Sequence, residues 1–375
     1  MSADHPVLLR HGAVLGSGPD ATVPDHYGAP LREQRRLLAA RSVVDLGQQE
    51  LLEVSGADRL SWLTTISSQV LTDIAPGQSR MLAVLSPRGR VEHLAAAVAT
   101  AEDSLLLISD AGGRDGLREY LESMRFAARV ELTERDDLRV LGGLDDATAI
   151  LRPRGLDLPD PVALWNDPWP GVVPGGVAYG PDPEETTAWT LTVLLSAGLE
   201  DLPWREEHLA GMQAAEALRI ARHEPRFRTE VDERSIPHEL DLLRTAVHTA
   251  KGCYRGQETV AKVLNLGQPP RRLVMLHLDG SSGIPARPGG EVRLESPSGK
   301  VVGVLTSTAL HADLGPIGLA VVRRAVPLDA PLAVAADGAL LDASAGTEPE
   351  VWMDAAQEPI VVPRDHGERP RTARL

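Results

Sequence analysis

Residues 248–258 read His248-Thr249-Ala250-Lys251-Gly252-Cys253-Tyr254-Arg255-Gly256-Gln257-Glu258 and contain the only cysteine of the chain. Gly252 and Gly256 bracket Cys253 and free the backbone to turn tightly or to pass close to a ligand. The next stretch, QETVAKVLNL over residues 257–266, predicts a short helix with Glu258 in its first turn. Cys253 then precedes a helix N-terminus and lies between Lys251 and Arg255. Both features raise the thiolate fraction of a cysteine, so Cys253 is a candidate functional thiol with Lys251 as its partner. The competing reading is a small buried hydrophobe, the commonest state of a free cysteine.

Upstream of this segment the pattern is that of an α+β protein. PLREQRRLLAA opens with Pro30 and is dense in good helix formers. SVVDL and QELLEVSG read as strands, and ADRLSWLTTISSQ places Leu60, Leu63 and Ile66 at helical spacing. MLAVLS and VEHLAAAVA flank the turn SPRGR and predict a hairpin, followed by the strand SLLLIS and the helix RDGLREYLESM. Residues 27–150 form a first α+β half, preceded by a flexible arm over 1–26. Residues 151–270 form a second half. It begins with a Pro- and Gly-rich connection in which Trp165 and Trp169 are expected to cap the core. TAWTLTVLL then predicts a strand and REEHLAGMQAAEALRIAR a helix. Short strands between turns suggest a small β-barrel over 271–345, and 346–375 read as a disordered tail.

Composition narrows the function. A net charge of −15 argues against general nucleic-acid binding. No apolar run is long enough to span a membrane, and the first residues lack the basic-then-apolar order of a signal peptide. One cysteine permits no internal disulfide, which fits a cytoplasmic location. No Walker loop, dinucleotide glycine fingerprint, HExxH or paired CxxC is present, and no tight spacing joins His238, His248 and Cys253 into a metal site. The acidic run Glu230, Asp232, Glu233, Glu239 and Asp241 reads as a solvated face. Only three residues are lysine, and two of them, Lys251 and Lys262, lie within nine positions of Cys253.

KGCYRGQE, residues 251–258, resembles the signature of the YgfZ family of folate-binding proteins, Lys-Gly-Cys-aromatic-X-Gly-Gln-Glu. ALRIARHEPRF and EVDERSIPHELDLL are similar to the corresponding run of that family and of the related glycine-cleavage T-protein. VVGVLTST and IGLAVV resemble the T-protein's terminal barrel, so the likeness spans roughly residues 27 to 345. The resemblance implies two similar α+β halves and a β-barrel arranged in a ring around tetrahydrofolate. It implies an accessory role for iron–sulfur client proteins, especially [4Fe–4S] ones, with Cys253 and Lys251 as the acting residues. Tyr254, Gln257 and Glu258 map onto the signature and are carried over as cofactor-binding residues. Arg219 matches a T-protein arginine, which implies a clamp on the folate's glutamate carboxylate or else an ordinary salt bridge. Where the T-protein has Gly-Gly-X-X-Asp-Asp-Leu, this chain has Arg88-Gly89-Arg90-Val91-Glu92-His93-Leu94, so Glu92 and His93 replace the two aspartates, and the resemblance implies Glu92, which keeps a carboxylate one methylene longer, as a further cofactor-binding residue. That departure, and the cysteine that the T-protein lacks, count against an aminomethyltransferase or one-carbon demethylase. Neither departure excludes that enzyme, which stays one alternative, and a further alternative is a non-catalytic interaction module on the same fold.

Overall fold

SLLLIS and VEHLAAAVA are apolar at almost every position, which a strand accommodates only when both of its faces are covered. The computed structural model, which describes residues 12–181, 187–266, 268–336, 351–362 and 371–372, shows how they are covered. A short hairpin of β1 (Val14–Leu15) and β2 (Pro24–His26) leads into α1 (Pro30–Leu38) and β3 (Val43–Asp45). Then come β4 (Glu50–Ser55), α2 (Arg59–Ile66), β5 (Ser79–Leu85), β6 (Val91–Ala99), β7 (Ser104–Ser109), α3 (Arg114–Ser123) and β8 (Glu131–Glu134). The middle of the chain supplies β9 (Leu138–Gly143), α4 (Ala147–Leu151), β10 (Ala163–Asn166), β11 (Val177–Ala178), β12 (Thr190–Leu195) and β13 (Leu209–Ala210). It continues with α5 (Met212–Ala221), α6 (Phe227–Glu230) and α7 (Gln257–Leu266). The final strands are β14 (Arg271–Leu278), β15 (Glu291–Leu294), β16 (Val301–His311), β17 (Gly315–Arg323), β18 (Leu332–Ala335), β19 (Trp352–Pro359) and β20 (Arg371–Thr372).

Two five-stranded sheets form the body, in the orders β5-β6-β7-β4-β8 and β10-β12-β9-β3-β13. Along β7, Leu105 and Leu107 join one core while Leu106 and Ile108 join another, as the two-residue period of a strand requires. The first core is covered by Trp62, Leu63 and Ile66 of α2 and by Leu117 and Leu121 of α3. The second lies between the sheets, where Val140, Trp165, Leu191 and Val193 of the second sheet meet Ala96, Val98 and Ile108 of the first. A closed barrel of order β14-β17-β16-β15-β18-β19 completes the molecule. The expected α+β class with a C-terminal barrel is therefore present.

Several expected boundaries move. β3 and β9, assigned by sequence to the first half, belong to the second sheet, because β3 lies between β9 and β13. Residues 346–375 were expected to be a disordered tail, yet β19 lies within that range and closes the barrel against β14 and β18. Met353 and Ala355 point into the barrel core while Asp354 and Ala356 are exposed. This alternation is short and rich in small residues, so composition alone hides it. Within the arm expected over 1–26, residues 1–11 lie outside the described residues. Asp20 is held by a bidentate pair with Arg226 at 2.7 and 2.8 Å, and Val23 is buried, so the rest of the arm is docked.

The acidic run before the cysteine is only in part the solvated face expected of it, since Asp232 and Glu233 are exposed and the other three are not. Glu230, Glu239 and Asp241 are buried, paired with Arg219 at 3.0 Å, Arg271 at 2.8 Å and Arg244 at 2.8 Å. A buried carboxylate persists only with such a partner. Truncation after residue 345 is predicted to leave β14 and β18 with open edges and to remove Met353, whose burial alone is worth about 2–3 kcal/mol. The truncated chain should melt several degrees lower than the full chain by circular dichroism. An unchanged melting curve would show that β19 does not close the barrel.

Candidate functional site

Lys251 controls the shape of the cysteine segment. Its ammonium enters the C-terminal end of α2 and donates to the carbonyl oxygens of Thr64, Ser67 at 2.7 Å and Gln69 at 3.1 Å. The last carbonyls of a helix have no partner of their own and carry the negative end of its dipole, so a cation placed there is stabilising. Burial pushes the ammonium down to about 8, which still leaves it charged at neutral pH, and the three acceptors favour that form. The same ammonium stands 5.2 Å from the centre of the Tyr254 ring. Gln257 Nε2 donates to the Lys251 carbonyl at 3.3 Å, closing the loop on itself.

The far side of the loop is held just as firmly. Arg255 pairs with Glu92 of β6 at 2.9 Å and lies over the Tyr120 ring at 5.6 Å. Gly256 has φ of +83°, and a Cβ there would come within 2.5 Å of the Ser86 carbonyl, so α7 begins directly against the turn between β5 and β6. Gly252 has no such constraint: a methyl group there would meet open space. The loop thus buries Tyr254, fixes Lys251 and Arg255, and presents Gly252 and Cys253 to solvent. Both cations expected to flank the thiol are committed elsewhere, so Lys251 acts as a helix cap in this structure.

Between the two sheets lies a cavity of about 170 Å³. Ala95 and Ala96 of β6 give it room, and Trp165, Trp189 and Met212 form apolar walls. Four buried polar atoms of its lining have no partner among the described residues: Gln48 Oε1, Gln49 Oε1, Ser109 Oγ and Arg222 Nε. Gln48 is oriented by its amide nitrogen, which donates to Asp20 Oδ1 at 2.9 Å. Arg222 Nη2 reaches Asp167 at 2.6 Å and Glu224 at 3.0 Å, bringing two carboxyl groups together at the wall. Burial and the neighbouring Asp167 push Glu224 up to about 8. Phe227 lines both this cavity and a second, outer one of about 890 Å³.

The residues singled out by sequence fall into separate places. Arg219 lines the inner cavity, but its guanidinium is engaged by Glu216 at 2.7 Å, Glu230 at 3.0 Å and Ser307 Oγ at 2.7 Å. Instead of a helix-surface pair, Arg219 forms a largely buried network that joins α5 and α6 to the barrel. Glu92 and His93 line the outer cavity, where burial pushes His93 down to about 4 and leaves it neutral. Cys253, Lys251, Tyr254, Gln257 and Glu258 line neither cavity. Tyr254 sits instead in a core shared with the barrel, and Glu258 is exposed. Trp165 and Trp169 are buried as expected. Gln48, Gln49, Ser109 and the Asp167–Glu224 pair were missed by sequence reasoning, since they converge from four separate segments and form no motif.

Among the described residues no group of His, Cys, Asp and Glu is placed to hold a metal ion, and no helix is long and apolar enough to cross a membrane. No protein-family model matches the chain. It is 25% identical over 303 residues to "Putative transferase At1g60990, chloroplastic" from Arabidopsis thaliana, covering 75% of this chain and 65% of that protein. The match therefore spans less than two thirds of the curated relative. Among solved structures, the glycine cleavage system aminomethyltransferase T from Bartonella henselae superposes with a TM-score of 0.69 at 17% identity. That superposition covers 96% of this chain and 97% of the other, so the described residues share the T-protein fold.

Lys251→Met is predicted to leave the end of α2 uncapped and to lower stability by about 2–3 kcal/mol in urea denaturation. Full stability in that variant would rule out the capping role. Glu224 makes a pH prediction. Its folded pKa is raised, so between about pH 4.5 and 8 the unfolded chain releases a proton that the folded chain retains, and stability falls as pH rises. Glu224→Gln should flatten that slope, by about 1–2 kcal/mol across the range after allowing for partial exposure. Parallel urea midpoints for the two proteins at pH 5 and pH 8 would contradict it.

Proposed function

We propose that this protein binds a reduced folate in the inner cavity and supports iron–sulfur proteins, especially [4Fe–4S] ones, through the exposed Cys253 thiol. The observation that carries the ligand assignment is the set of four unpaired buried polar atoms around that cavity. Buried polar groups are otherwise almost always satisfied, so their convergence beside two tryptophans marks a place for a flat, polar-edged heterocycle. The lining fits tetrahydrofolate by its chemistry. Gln48 and Gln49 offer acceptors, Arg222 a donor, Ser109 a hydroxyl, and Trp165 and Trp189 the apolar faces. When bound, the folate supplies a carrier for one-carbon units.

Cys253 is suited to act on a protein partner rather than on the ligand, because it lies at the exposed apex of a pinned loop. The iron–sulfur clusters belong to the client proteins in this reading, and a reducing cytoplasm would keep the lone thiol available. Glu92, tied to Arg255, is poorly placed to serve as a free base. A one-carbon transferase reading keeps the same cavity and is favoured by the Asp167–Glu224 pair, which can hold a proton at the wall. It predicts turnover of a methylamine-type donor that Glu224→Gln abolishes.

The deciding experiment is [4Fe–4S] dehydratase activity in a deletion strain of the source organism, complemented with the wild-type chain or with Cys253→Ala at matched expression. The proposal expects wild type to restore activity and Cys253→Ala to fail while still binding 5-formyltetrahydrofolate in calorimetry. Restoration by both proteins would remove Cys253 from the mechanism. A dehydratase unaffected by the deletion would remove the iron–sulfur role.

A further inference from the structure

The chain carries six tryptophans, four tyrosines and two phenylalanines, and every one of these rings except Phe126 is buried or half-buried. Phe126 is 87% exposed. It lies just beyond the end of α3, in a turn closed by a bond from Ala128 N to the Arg125 carbonyl oxygen at 2.8 Å. Its φ of +40° falls in the left-handed region, which glycine enters freely and a bulky side chain enters only with strain. Folding alone does not explain a phenyl ring here, because the ring gains no burial from the position it holds. A strained residue with no compensating contact inside the fold indicates a contact outside it.

The turn is nevertheless held firmly. Trp62 Nε1 of α2 donates to the Met124 carbonyl oxygen at 3.0 Å, and Arg129 holds Asp58, the residue before α2, at 2.7 and 3.0 Å. Towards the other end of α2, Tyr120 Oη donates to the Ile66 carbonyl oxygen at 2.7 Å. Lys251 and Arg255 of the cysteine loop attach to that same end and to the Tyr120 ring. One rigid pair of helices thus carries Phe126 near one end and the cysteine loop at the other. The eight residues of α2 span about 12 Å, well within the footprint of a single protein partner. Arg118 and Arg129 are paired, with Glu122 and Asp58, whereas the exposed Arg125 beside Phe126 forms no ion pair among the described residues. Aromatic rings and arginines are enriched at the centres of protein interfaces, the ring filling a pocket and the guanidinium meeting an acid.

We propose that Phe126 and Arg125 form the docking knob for the client protein on which Cys253 acts, entering an apolar pocket with a carboxylate at its rim. This rests on the reading of Cys253 as the group that serves a protein partner. Charge selects the acidic rim. In a chain of net charge −15, the turn over residues 123–129 carries two arginines and no acid. An acidic rim is therefore attracted here and repelled over much of the remaining surface, which orients the partner towards the cysteine loop. No bond is made or broken in docking.

The test is biolayer interferometry of the full chain against the immobilised, cluster-loaded [4Fe–4S] dehydratase of the source organism, with Phe126→Gly and Arg125→Glu beside the wild type. Each substitution should weaken binding roughly tenfold or more. Phe126→Gly should melt within about two degrees of the wild type, relief of the turn offsetting the greater freedom of glycine in the unfolded chain. The same variant should restore less dehydratase activity than the wild type in the deletion strain. Equal binding by all three proteins, or no binding by the wild type, would overturn the docking knob, and dehydratase activity that still depends on Cys253 would then leave the thiol reading standing. A wild-type dimer that Phe126→Gly dissolves in sedimentation would give the turn to a second copy and overturn the client assignment. A dehydratase untouched by the deletion would overturn the thiol reading and the docking knob together.

Discussion

The central strands of the first sheet are covered on both faces, and the rest of the molecule is arranged to make that possible. Its strands sort alternate side chains into two cores, one covered by α2 and α3 and the other by the second sheet and α5. Where β6 runs through alanines the opposing sheets do not fill the space between them, and the inner cavity is what remains. Its walls are then fixed by buried ion pairs rather than by apolar packing alone. Arg219 reaches Glu216, Glu230 and Ser307, and Arg226 joins Asp20 to Asp110. Each pair satisfies groups that would be costly to bury singly. Together they tie the N-terminal hairpin, α5, α6 and the barrel to one pocket.

The sequence made the elements of the first sheet legible because their signals are local. The hairpin around SPRGR, the strand SLLLIS and the helix over 257–266 each carry period, turn and cap information within a dozen residues. What it hid was long-range. Nothing local to SVVDL says that β3 pairs with β9 and β13, almost a hundred residues and more downstream in one case. The acidic run misled for a similar reason. Glu230, Glu239 and Asp241 look like surface charges until Arg219, Arg271 and Arg244 are brought against them by the fold. The cavity was invisible for the same cause, since its polar atoms come from β4's approach, β7, α5's end and the connection after β10.

The cysteine segment illustrates a different limit. Its residue types point to a functional thiol between two cations, and the structure gives most of them packing and anchoring contacts. Tyr254 fills a core, Gly256 admits α7 against the hairpin turn, Arg255 anchors to Glu92, and Gln257 closes the loop. A rigid frame of this kind is how a scaffold offers one side chain at a defined place. Gly252 and Cys253, at the turn between the two anchored cations, are left exposed.

The lysine in that frame has a geometric consequence. Three carbonyl oxygens converge on one nitrogen at the end of α2, an arrangement that matches the three N–H bonds of a compact ammonium. A guanidinium spreads its donors across a flat fork and cannot direct three of them at a single point. The chain uses only three lysines among its 38 basic residues, so arginine has taken nearly every other cationic position. Position 251 marks a place where that exchange meets a limit set by the shape of the donor rather than by its charge.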